Sequence, residues 1–535
     1  MSPARRPLLF LAVICLVLFS FKIGNRDFWN PDEPRYAGVT RAMLESGDWL
    51  LLRNAGEVYT HKPPLFFWLS SIAATAGGGL NETTARWVPC LAAVGCVLAT
   101  FLLGAPLVGQ RAAFFGALVL ATSQRFFLEA RWVHTDSLLA LWVVLAMTGA
   151  HRALAGGRAG WLLMYAAMAL ACLTKGPVGV ALPAAGVLVA LASRRELGRL
   201  RSCGAWWGIP LALAPAAGWL ALAARRAGFD PLAVLGKQVV QRVEEGLHHP
   251  RPMYYYLIAL PLVFLPWTLF LPGALAHTLP WREEKRRGEL LFLYGWLLGG
   301  LVLLSFSVEK RPSYLLPLLP ALSLLAGSFL DAYLTRFDPG KLRGYLEIPL
   351  WAGGLACVAA AVWLPGFERR YPGSAARGVG LALAALVICV AVIAAIRAGR
   401  RGLAILILLG GVCALHLGIV GVVLPWLNGF KSARPFAARI VSRISGAPLG
   451  IYPDPNPAFD YYTARPLLLL RQPNEVEDFV ASSDPGYCLM KESDFRALSK
   501  TIPLARIDAA SLGHRTFVLA GQAPGSSGQA VASPR

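Results

Sequence analysis

The segment 30–36, which reads Asn-Pro-Asp-Glu-Pro-Arg-Tyr, concentrates residue types that could carry acid–base chemistry. It places two adjacent carboxylates, Asp32 and Glu33, and the cation Arg35 directly after the first apolar run of the chain. A carboxylate at a membrane surface can accept a proton from a reacting hydroxyl group. A helix start gives the alternative, because acids in the first turn of a helix interact favourably with its dipole. The residues alone leave both roles open.

A second group of ionisable residues, Glu129, Arg131, His134 and Asp136, precedes a later apolar run. Asp136 fits the N-cap position of the helix that this run predicts. Capping is a sufficient explanation for one such acid, but two acidic segments in separate loops suggest a shared site. Whether they can meet depends on the elements that carry them.

The composition predicts a protein that crosses a membrane many times. Of the 535 residues, 56% are hydrophobic and 15% are charged, and long apolar runs recur between residues 8 and 425. The nine cysteines occur singly and mostly inside apolar runs, so they predict neither a disulfide framework nor a zinc cluster. The formal net charge is +21, but Lys and Arg cluster between the apolar runs, where they mark cytoplasmic loops. The positive charge therefore indicates which loops are cytoplasmic, and no nucleic-acid partner is expected.

The apolar runs predict an all-α membrane domain with roughly thirteen transmembrane helices over residues 1–427. The basic start of the chain is followed by an apolar run without a small-residue cleavage site, which predicts an uncleaved anchor with a cytoplasmic N-terminus. The predicted spans are 8–25, 87–108, 111–126, 136–153, 161–174, 177–192, 204–224, 253–277, 288–307, 312–334, 347–364, 378–396 and 402–425.

The short run 64–76 decides the orientation of every later loop. It begins at a Pro-Pro pair and ends in a Gly-rich stretch, so we interpret it as a surface-lying or re-entrant segment. This interpretation leaves the basic loops on the cytoplasmic side, as the positive-inside rule requires. Both acidic segments then lie on the outer face of the membrane.

Cations from several loops are predicted on the same outer face. Snorkelling toward lipid headgroups explains any single one of them. A ring of Lys and Arg side chains is instead what a phosphate or pyrophosphate leaving group needs, because each cation stabilises developing negative charge. The cations are Arg35, Lys62, Lys175, Arg242, Arg251, Lys310 and Arg311.

An ordered set of short motifs runs through nearly the whole chain. By this set the chain resembles the bacterial aminoarabinose lipid A transferases, within the C-type glycosyltransferase superfamily that includes the protein O-mannosyltransferases. The motifs are Asp32-Glu33-x-Arg35-Tyr36-Ala37, Glu45-Ser46-Gly47-Asp48-Trp49, Lys62-Pro63-Pro64-Leu65, Asp136, Thr174-Lys175-Gly176-Pro177 and Arg311-Pro312-Ser313-Tyr314-Leu315-Leu316-Pro317.

The resemblance implies a monomeric enzyme of the bacterial inner membrane. It would move a sugar, best matched by aminoarabinose, from undecaprenyl phosphate to lipid A at the periplasmic face, with inversion at the anomeric carbon. Asp32 would be the principal catalytic carboxylate, with Glu33 beside it and Asp136 as the second acid. The donor phosphate would be bound by Arg35, Lys62, Lys175, Arg242, Lys310 and Tyr314.

The chain departs from the resembled family at His61, where relatives commonly carry Glu before the Lys-Pro-Pro motif. An outer-loop histidine, best matched by His249, could complete a zinc site with His61 and a carboxylate or water. Solvated or hydrogen-bonded surface histidines are the alternative. A divalent metal such as zinc is the one cofactor that the sequence suggests.

A change of composition after Trp426 predicts a small α/β domain over residues 428–521, which parity places in the periplasm. The tail 522–535 is rich in Gly, Ser, Ala and Pro, which predicts disorder. Within the domain, strands are expected at 449–452, 467–470, 487–490 and 517–520, and helices at 435–444, 475–482 and 493–499.

Two other functions stay open at the level of sequence. An enzyme that glycosylates protein hydroxyl groups from a polyprenyl phosphate donor would share the same donor chemistry. A transporter would place ionisable residues near the midplane, in broken helices of repeated halves. The candidate charges here lie in predicted outer loops and no internal repeat is evident, which disfavours transport.

Overall fold

A computed structural model describes residues 5–240, 251–335, 340–369, 371–465, 467–482 and 486–522. Two of the predicted site residues, Arg242 and His249, and the predicted tail beyond residue 522 lie outside the described residues. The chain folds into two compact units. The first comprises Met1–Ile23, Thr60–Ala73 and Arg86–Val423, and the second comprises Gly24–Tyr59, Ala74–Ala85 and Leu424–Arg535.

Helices dominate the chain up to residue 423, and each predicted span coincides with a helix or with a broken helix pair. Short 3₁₀ turns at Trp267–Phe270 and Pro312–Leu318 precede the α-helices that begin at Leu271 and Leu319. A π-helical turn, Ile419–Val423, follows the α-helix that ends at Gly418. The helices are α1 Arg5–Ser20, α2 Asp32–Ser46, α3 Leu65–Ala76, α4 Glu82–Val108, α5 Gln110–Ala121, α6 Gln124–Glu129, α7 Asp136–Leu154, α8 Ala159–Lys175, α9 Val178–Ser193, α10 Ala205–Ala227, α11 Pro231–Val240, α12 Tyr255–Val263, α13 Leu271–His277, α14 Arg287–Ser305, α15 Leu319–Thr335, α16 Gly340–Trp363, α17 Ser374–Arg397 and α18 Arg401–Gly418.

The lengths and compositions of these helices are those of a multi-pass membrane protein. In the described part of the chain, eight helices are long and apolar enough to span a membrane, or nine if the bent pair Tyr255–Val263 and Trp267–His277 forms one span. Further apolar helices, among them α5, α8 and α9, are shorter than a full span. The count of thirteen crossings stays a prediction, and α3 has only 12 residues, as its doubtful status in the sequence suggests.

Small residues set the close packing of the membrane helices. Helices α7 and α8 meet at Gly149 and Gly160, where a Cβ on either residue would collide with the backbone of the other helix. Helices α5 and α15 meet in the same way at Gly116 and Gly327. Close contact through glycine is typical of helices in lipid, where packing rather than the hydrophobic effect drives association.

The second unit combines the segment after α1 with the C-terminal residues. Its five-stranded sheet has the order β4-β3-β5-β7-β6; β3 runs parallel to β4 and β5, and β7 runs antiparallel to β5 and β6. A small β1–β2 hairpin follows α2. The strands are β1 Arg53–Asn54, β2 Glu57–Val58, β3 Leu449–Tyr452, β4 Leu468–Leu469, β5 Tyr487–Lys491, β6 Leu504–Leu512 and β7 Arg515–Gln522; the helices after residue 423 are α19 Leu424–Lys431, α20 Arg434–Ile444, α21 Pro457–Thr463, α22 Pro473–Ala481 and α23 Glu492–Leu498.

The predicted α/β character of the C-terminal region is confirmed. One face of the sheet packs against α20 and α21 around Phe436, Ile440 and Phe459, all of which are buried. The structure adds β6 and α21 to the predicted elements. Strand β6 was missed because most of its side chains are only half-buried, so it lacks the apolar run of an interior strand.

Candidate active site

Asp136 and Lys175 form a buried ion pair in the first unit. Asp136 is the first residue of α7 and Lys175 is the last residue of α8, and the two helices pack side by side in opposite directions. Lys175 Nζ donates to Asp136 Oδ1 at 2.6 Å, and the two side chains are only 8% and 9% exposed. The charges also suit the helix dipoles, which favour an anion at the N-terminus and a cation at the C-terminus.

Two more of the predicted donor-binding residues belong to the same electrostatic cluster. The ammonium nitrogen of Lys175 lies 4.4 Å from the centroid of the Tyr314 ring, which is cation–π geometry. Lys62 acts on Asp136 as a further favourable charge. The structure therefore brings together Asp136, Lys175, Tyr314 and Lys62, which the sequence placed in four separate segments.

The loop before α7 is held by a closed set of polar and aromatic contacts. The carboxylate of Glu129 is fully buried, with Oε2 at 2.7 Å from His134 Nδ1 and Oε1 at 2.5 Å from Arg125 Nη2. The Arg125 guanidinium lies 5.3 Å from the Trp132 ring centroid, and the Trp132 ring packs edge-on against His134. These contacts fix the turn that delivers Asp136 to the start of α7.

Arg131, which stands among the ionisable residues before Asp136, has a structural role. Its buried guanidinium donates to the backbone carbonyls of Leu18, Phe19 and Phe21 at 3.1, 2.6 and 2.5 Å. The last carbonyl groups of a helix have no partners within the helix. Arg131 therefore caps the carboxyl end of α1.

Lys310, a predicted phosphate ligand, is buried among backbone carbonyls. Its ammonium donates to the carbonyl of Arg251 at 3.0 Å and to that of Ser307, and burial lowers the pKa of Lys310. These two bonds use two of the three N–H donors of an ammonium group. The side chain thus ties the loop after α14 to the residues before α12, and its phosphate-binding role stays a prediction.

The acids Asp32 and Glu33 open α2 in the second unit and have different surroundings. Glu33 is buried; its Oε2 and Oε1 accept from Arg26 Nη1 and Nη2 at 2.5 and 2.9 Å, and Oε2 also accepts from the Trp29 backbone N–H at 3.1 Å. Asp32 Oδ1 lies 3.5 Å from Arg35 Nη1. Glu33 is therefore engaged in a tight bidentate pair, whereas Asp32 and Arg35 form a looser one.

Residues that the sequence did not single out support this helix start. Asn428 Nδ2 and Ser432 Oγ donate to Asp27 Oδ2 at 2.9 and 2.7 Å, and Trp29 Nε1 donates to Asn428 Oδ1 at 2.9 Å. Burial raises the pKa of Asp27, but these hydrogen bonds and the Arg434 guanidinium outweigh it and hold the pKa below its usual range. The partners are about four hundred residues apart in the chain, so no spacing rule could have revealed them.

Among the described residues, one group of side chains could hold a metal ion. Glu129, His134 and Asp136 offer ligand atoms that all lie within 4.8 Å of one another. Neither His61 nor His249, the predicted zinc ligands, belongs to this group; His61 lies directly before Lys62 in the first unit, and His249 is outside the described residues. Both acids of the group already have cationic partners, Arg125 and Lys175.

The chain is similar in sequence and in fold to several known proteins. The model of the family described as dolichyl-phosphate-mannose-protein mannosyltransferase matches residues 61–221. The undecaprenyl phosphate-alpha-4-amino-4-deoxy-L-arabinose arabinosyl transferase of Pseudomonas aeruginosa is 32% identical over 366 residues, 67% of this chain and 65% of that enzyme. The enzyme of the same name from Edwardsiella ictaluri is 29% identical over 356 residues, 65% of this chain and 64% of its own length. The chain thus spans slightly less than two thirds of these curated relatives.

A solved structure matches over almost the full length. The crystal structure of ArnT from Cupriavidus metallidurans bound to undecaprenyl phosphate has a TM-score of 0.78 and 22% sequence identity, and the match covers 98% of this chain and 99% of that one. The chain is therefore a multi-pass membrane protein with the C-type glycosyltransferase fold. Its sequence is similar to those of the undecaprenyl phosphate–aminoarabinose transferases, and the resemblance drawn from the ordered motifs is confirmed.

Proposed function

We propose that the chain is a glycosyltransferase that moves a sugar, best matched by aminoarabinose, from undecaprenyl phosphate to lipid A. The observation that carries the proposal is the cluster of Asp136, Lys175, Tyr314 and Lys62, in which buried acid and cation sit together at helix ends. Such a cluster suits a phosphate leaving group, because its cations can balance the charge that develops on the departing oxygen. The likeness to a protein whose structure was solved with undecaprenyl phosphate supports the choice of donor.

The proposed chemistry is a direct displacement with inversion. An acceptor oxygen forms a bond to the anomeric carbon while the bond from that carbon to the phosphate oxygen breaks, and undecaprenyl phosphate leaves with the electron pair. A hydroxyl acceptor gives its proton to Asp32 as general base, whereas a phosphate group of lipid A is already a nucleophile. In that case the proposed role of the acids Asp32 and Asp136 is to orient the reacting groups. The proposed ligands of the leaving phosphate are Arg35, Lys62, Lys175, Arg242, Lys310 and Tyr314.

The proposed setting is the periplasmic face of the inner membrane, with the N-terminus in the cytoplasm and the C-terminal α/β region in the periplasm. This orientation follows from the positive-inside rule applied to the basic loops. The product would be lipopolysaccharide whose lipid A carries an added amino group. Because that group offsets phosphate charge, the modification should reduce binding of cationic peptides such as polymyxin.

A second candidate is transfer to protein hydroxyl groups. The family model that matches residues 61–221 is named for a dolichyl-phosphate-mannose-protein mannosyltransferase, which favours this alternative. It shares the donor chemistry and the leaving group and differs in the acceptor. For such an acceptor the proton transfer to Asp32 becomes obligatory, since a hydroxyl is a weak nucleophile.

Mass spectrometry of lipid A tests the proposal. The chain is expressed in a host that makes undecaprenyl phosphate-aminoarabinose but lacks its own transferase, beside the variants Asp32→Asn and Glu57→Gln. Glu57 serves as the control because it is an exposed acid of β2 that lies outside the ordered motifs. We expect a pentosamine mass on lipid A with the wild type and with Glu57→Gln, but none with Asp32→Asn. Absence of the mass with confirmed expression would refute aminoarabinose transfer to lipid A; glycosylated membrane proteins in those cells would support the second candidate.

A second experiment tests whether the proposed reaction needs zinc. We propose that a divalent ion would take Glu129, His134 and Asp136 as ligands, since carboxylate and imidazole groups are suitable donors. The ion would have to displace Lys175 from Asp136, so the proposed reaction does not depend on it. Dialysis of the purified enzyme against a chelator should leave transfer unchanged; loss of transfer that zinc restores would contradict this.

A further inference from the structure

The carboxylate of Glu33 is the most constrained acid in the first turn of α2. It has two charge-assisted hydrogen bonds to one guanidinium and a third bond to a backbone N–H, and its side chain is only 4% exposed. Bidentate Arg–carboxylate pairs are strong and geometrically specific. A carboxylate held in this way cannot turn toward a substrate without breaking the pair.

The partner Arg26 is itself immobilised. Its guanidinium lies 4.3 Å from the Trp29 ring centroid and donates to the carbonyl of Asp27 at 3.2 Å. The ammonium of Lys431 lies 4.8 Å from the same ring, and Trp29 Nε1 is bonded to Asn428. The pair is thus anchored within the second unit to α19 and to the segment before α2.

This anchoring fixes the direction of the neighbouring residue. Successive side chains on an α-helix point about 100° apart around the axis, so the position of the Glu33 carboxylate determines where the first turn aims Asp32. The charge of Arg26 also cancels that of Glu33, so Glu33 adds little repulsion to the Asp32 carboxylate next to it. Asp32 then lies beside its looser partner, Arg35, without an uncompensated charge on Glu33 next to it.

We propose that Arg26 and Glu33 are positioning residues that aim Asp32, and that Glu33 takes no direct part in the chemistry. The inference rests on the proposed function of Asp32 as the principal catalytic carboxylate. Small displacements of a reacting group cost as much as about 100-fold in rate. Removal of one partner, which leaves the other charge buried and unpaired, should therefore displace the first turn of α2, lower kcat and leave the KM for the donor nearly unchanged.

Steady-state transfer with purified full-length protein tests this. The variants are Glu33→Gln, Arg26→Lys, the apolar double variant Arg26→Met/Glu33→Met and, as control, Arg53→Met, an exposed arginine in the same unit. We expect Glu33→Gln to lose roughly 10–100-fold in kcat. Arg26→Lys should lose a substantial part of the same activity, because a lysine cannot form the bidentate pair, whereas Arg53→Met should lose little. The double variant removes both buried charges together, a change that folded proteins commonly tolerate, and should recover most of the loss.

A double variant that is folded and as inactive as Asp32→Asn would show that Glu33 acts chemically and would overturn the proposal. So would a wild-type kcat for Glu33→Gln. Hydrogen exchange of the segment 28–40 gives a readout that does not depend on activity: Glu33→Gln should speed exchange there and leave the sheet unchanged. If the wild type transfers no sugar, the proposed function fails, and unchanged exchange in Glu33→Gln would separately refute the positioning role.

Discussion

Removal of Lys175 should destabilise the protein and abolish donor use for two separable reasons. In Lys175→Ala the carboxylate of Asp136 stays 9% exposed and loses the ammonium that lies 2.6 Å away. Breaking a buried ion pair by removing one partner typically costs about 3–5 kcal/mol, because the remaining charge is uncompensated. The lost cation–π contact with Tyr314 adds about 1–2 kcal/mol for a desolvated pair. We therefore expect the free energy of unfolding to fall by about 4–7 kcal/mol.

The double variant Asp136→Asn/Lys175→Met separates stability from function. It leaves no buried charge at this position, so most of the stability should return. If the cation and the acid also act on the donor, the double variant stays inactive although it is folded. The control Lys285→Ala removes an exposed lysine elsewhere in the first unit and should change neither property.

Two measurements on the same preparations show whether the Asp136–Lys175 pair acts in stability alone or also in catalysis. They are thermal unfolding in detergent and sugar transfer from the undecaprenyl phosphate-linked donor. A double variant that regains both stability and transfer would refute the catalytic assignment and reduce the pair to a structural contact between α7 and α8. Unchanged stability in Lys175→Ala would refute the electrostatic reasoning itself.

Two further predictions concern residues outside this pair. Burial raises the pKa of Asp460 in α21 to about 6, so the folded protein disfavours the ionised carboxylate. The free energy of unfolding should therefore rise as the pH falls from about 6 toward 4. Asp460→Asn should remove this pH dependence and add about 1–2 kcal/mol at pH 8, which thermal unfolding at several pH values measures. Glu129→Gln should lower the free energy of unfolding by about 1–3 kcal/mol, because Arg125 and His134 lose a buried carboxylate partner. It should also lower the rate of transfer per folded molecule, because the turn before Asp136 becomes less rigid. An unchanged rate per folded molecule would contradict a role of Glu129 in positioning Asp136.

Much of the fold could be predicted because bilayer thickness imposes a strong length and hydropathy signal. Helix α2 begins at the first acidic segment, as the acids of a helix start suggest, and ends before Gly47, which has the left-handed conformation common for glycine at a helix C-terminus, at φ 65°. Runs shorter than a full span, such as α3, give a weaker signal, and the number of crossings stays undecided for the same reason. The half-exposed strand β6 lacks both the apolar run of a buried strand and the strict alternation of a half-buried one, so its sequence does not predict a strand.

The candidate site was predictable as a set of residues but not as a set of pairs. The motifs placed Asp136, Lys175 and Tyr314 together by resemblance, yet nothing in their spacing shows that Lys175 is bonded to Asp136. Partner choice depends on helix ends that meet only in the fold, such as the start of α7 and the end of α8. The catalytic role of Glu33 stays a prediction; the sequence shows the charge of Glu33 but not its pair with Arg26.

Pairing also changes what each acid can do for a sugar that carries an amino group. Glu33, Glu129 and Asp136 each face at least one cation within their own unit, so an incoming ammonium group would have to compete with a bound guanidinium or ammonium. Asp32 has the longest of these ion-pair distances, 3.5 Å to Arg35. Among these ion pairs, exchange of the cation for a sugar ammonium group therefore costs least at Asp32, whose carboxylate is the proposed base when the acceptor is a hydroxyl group.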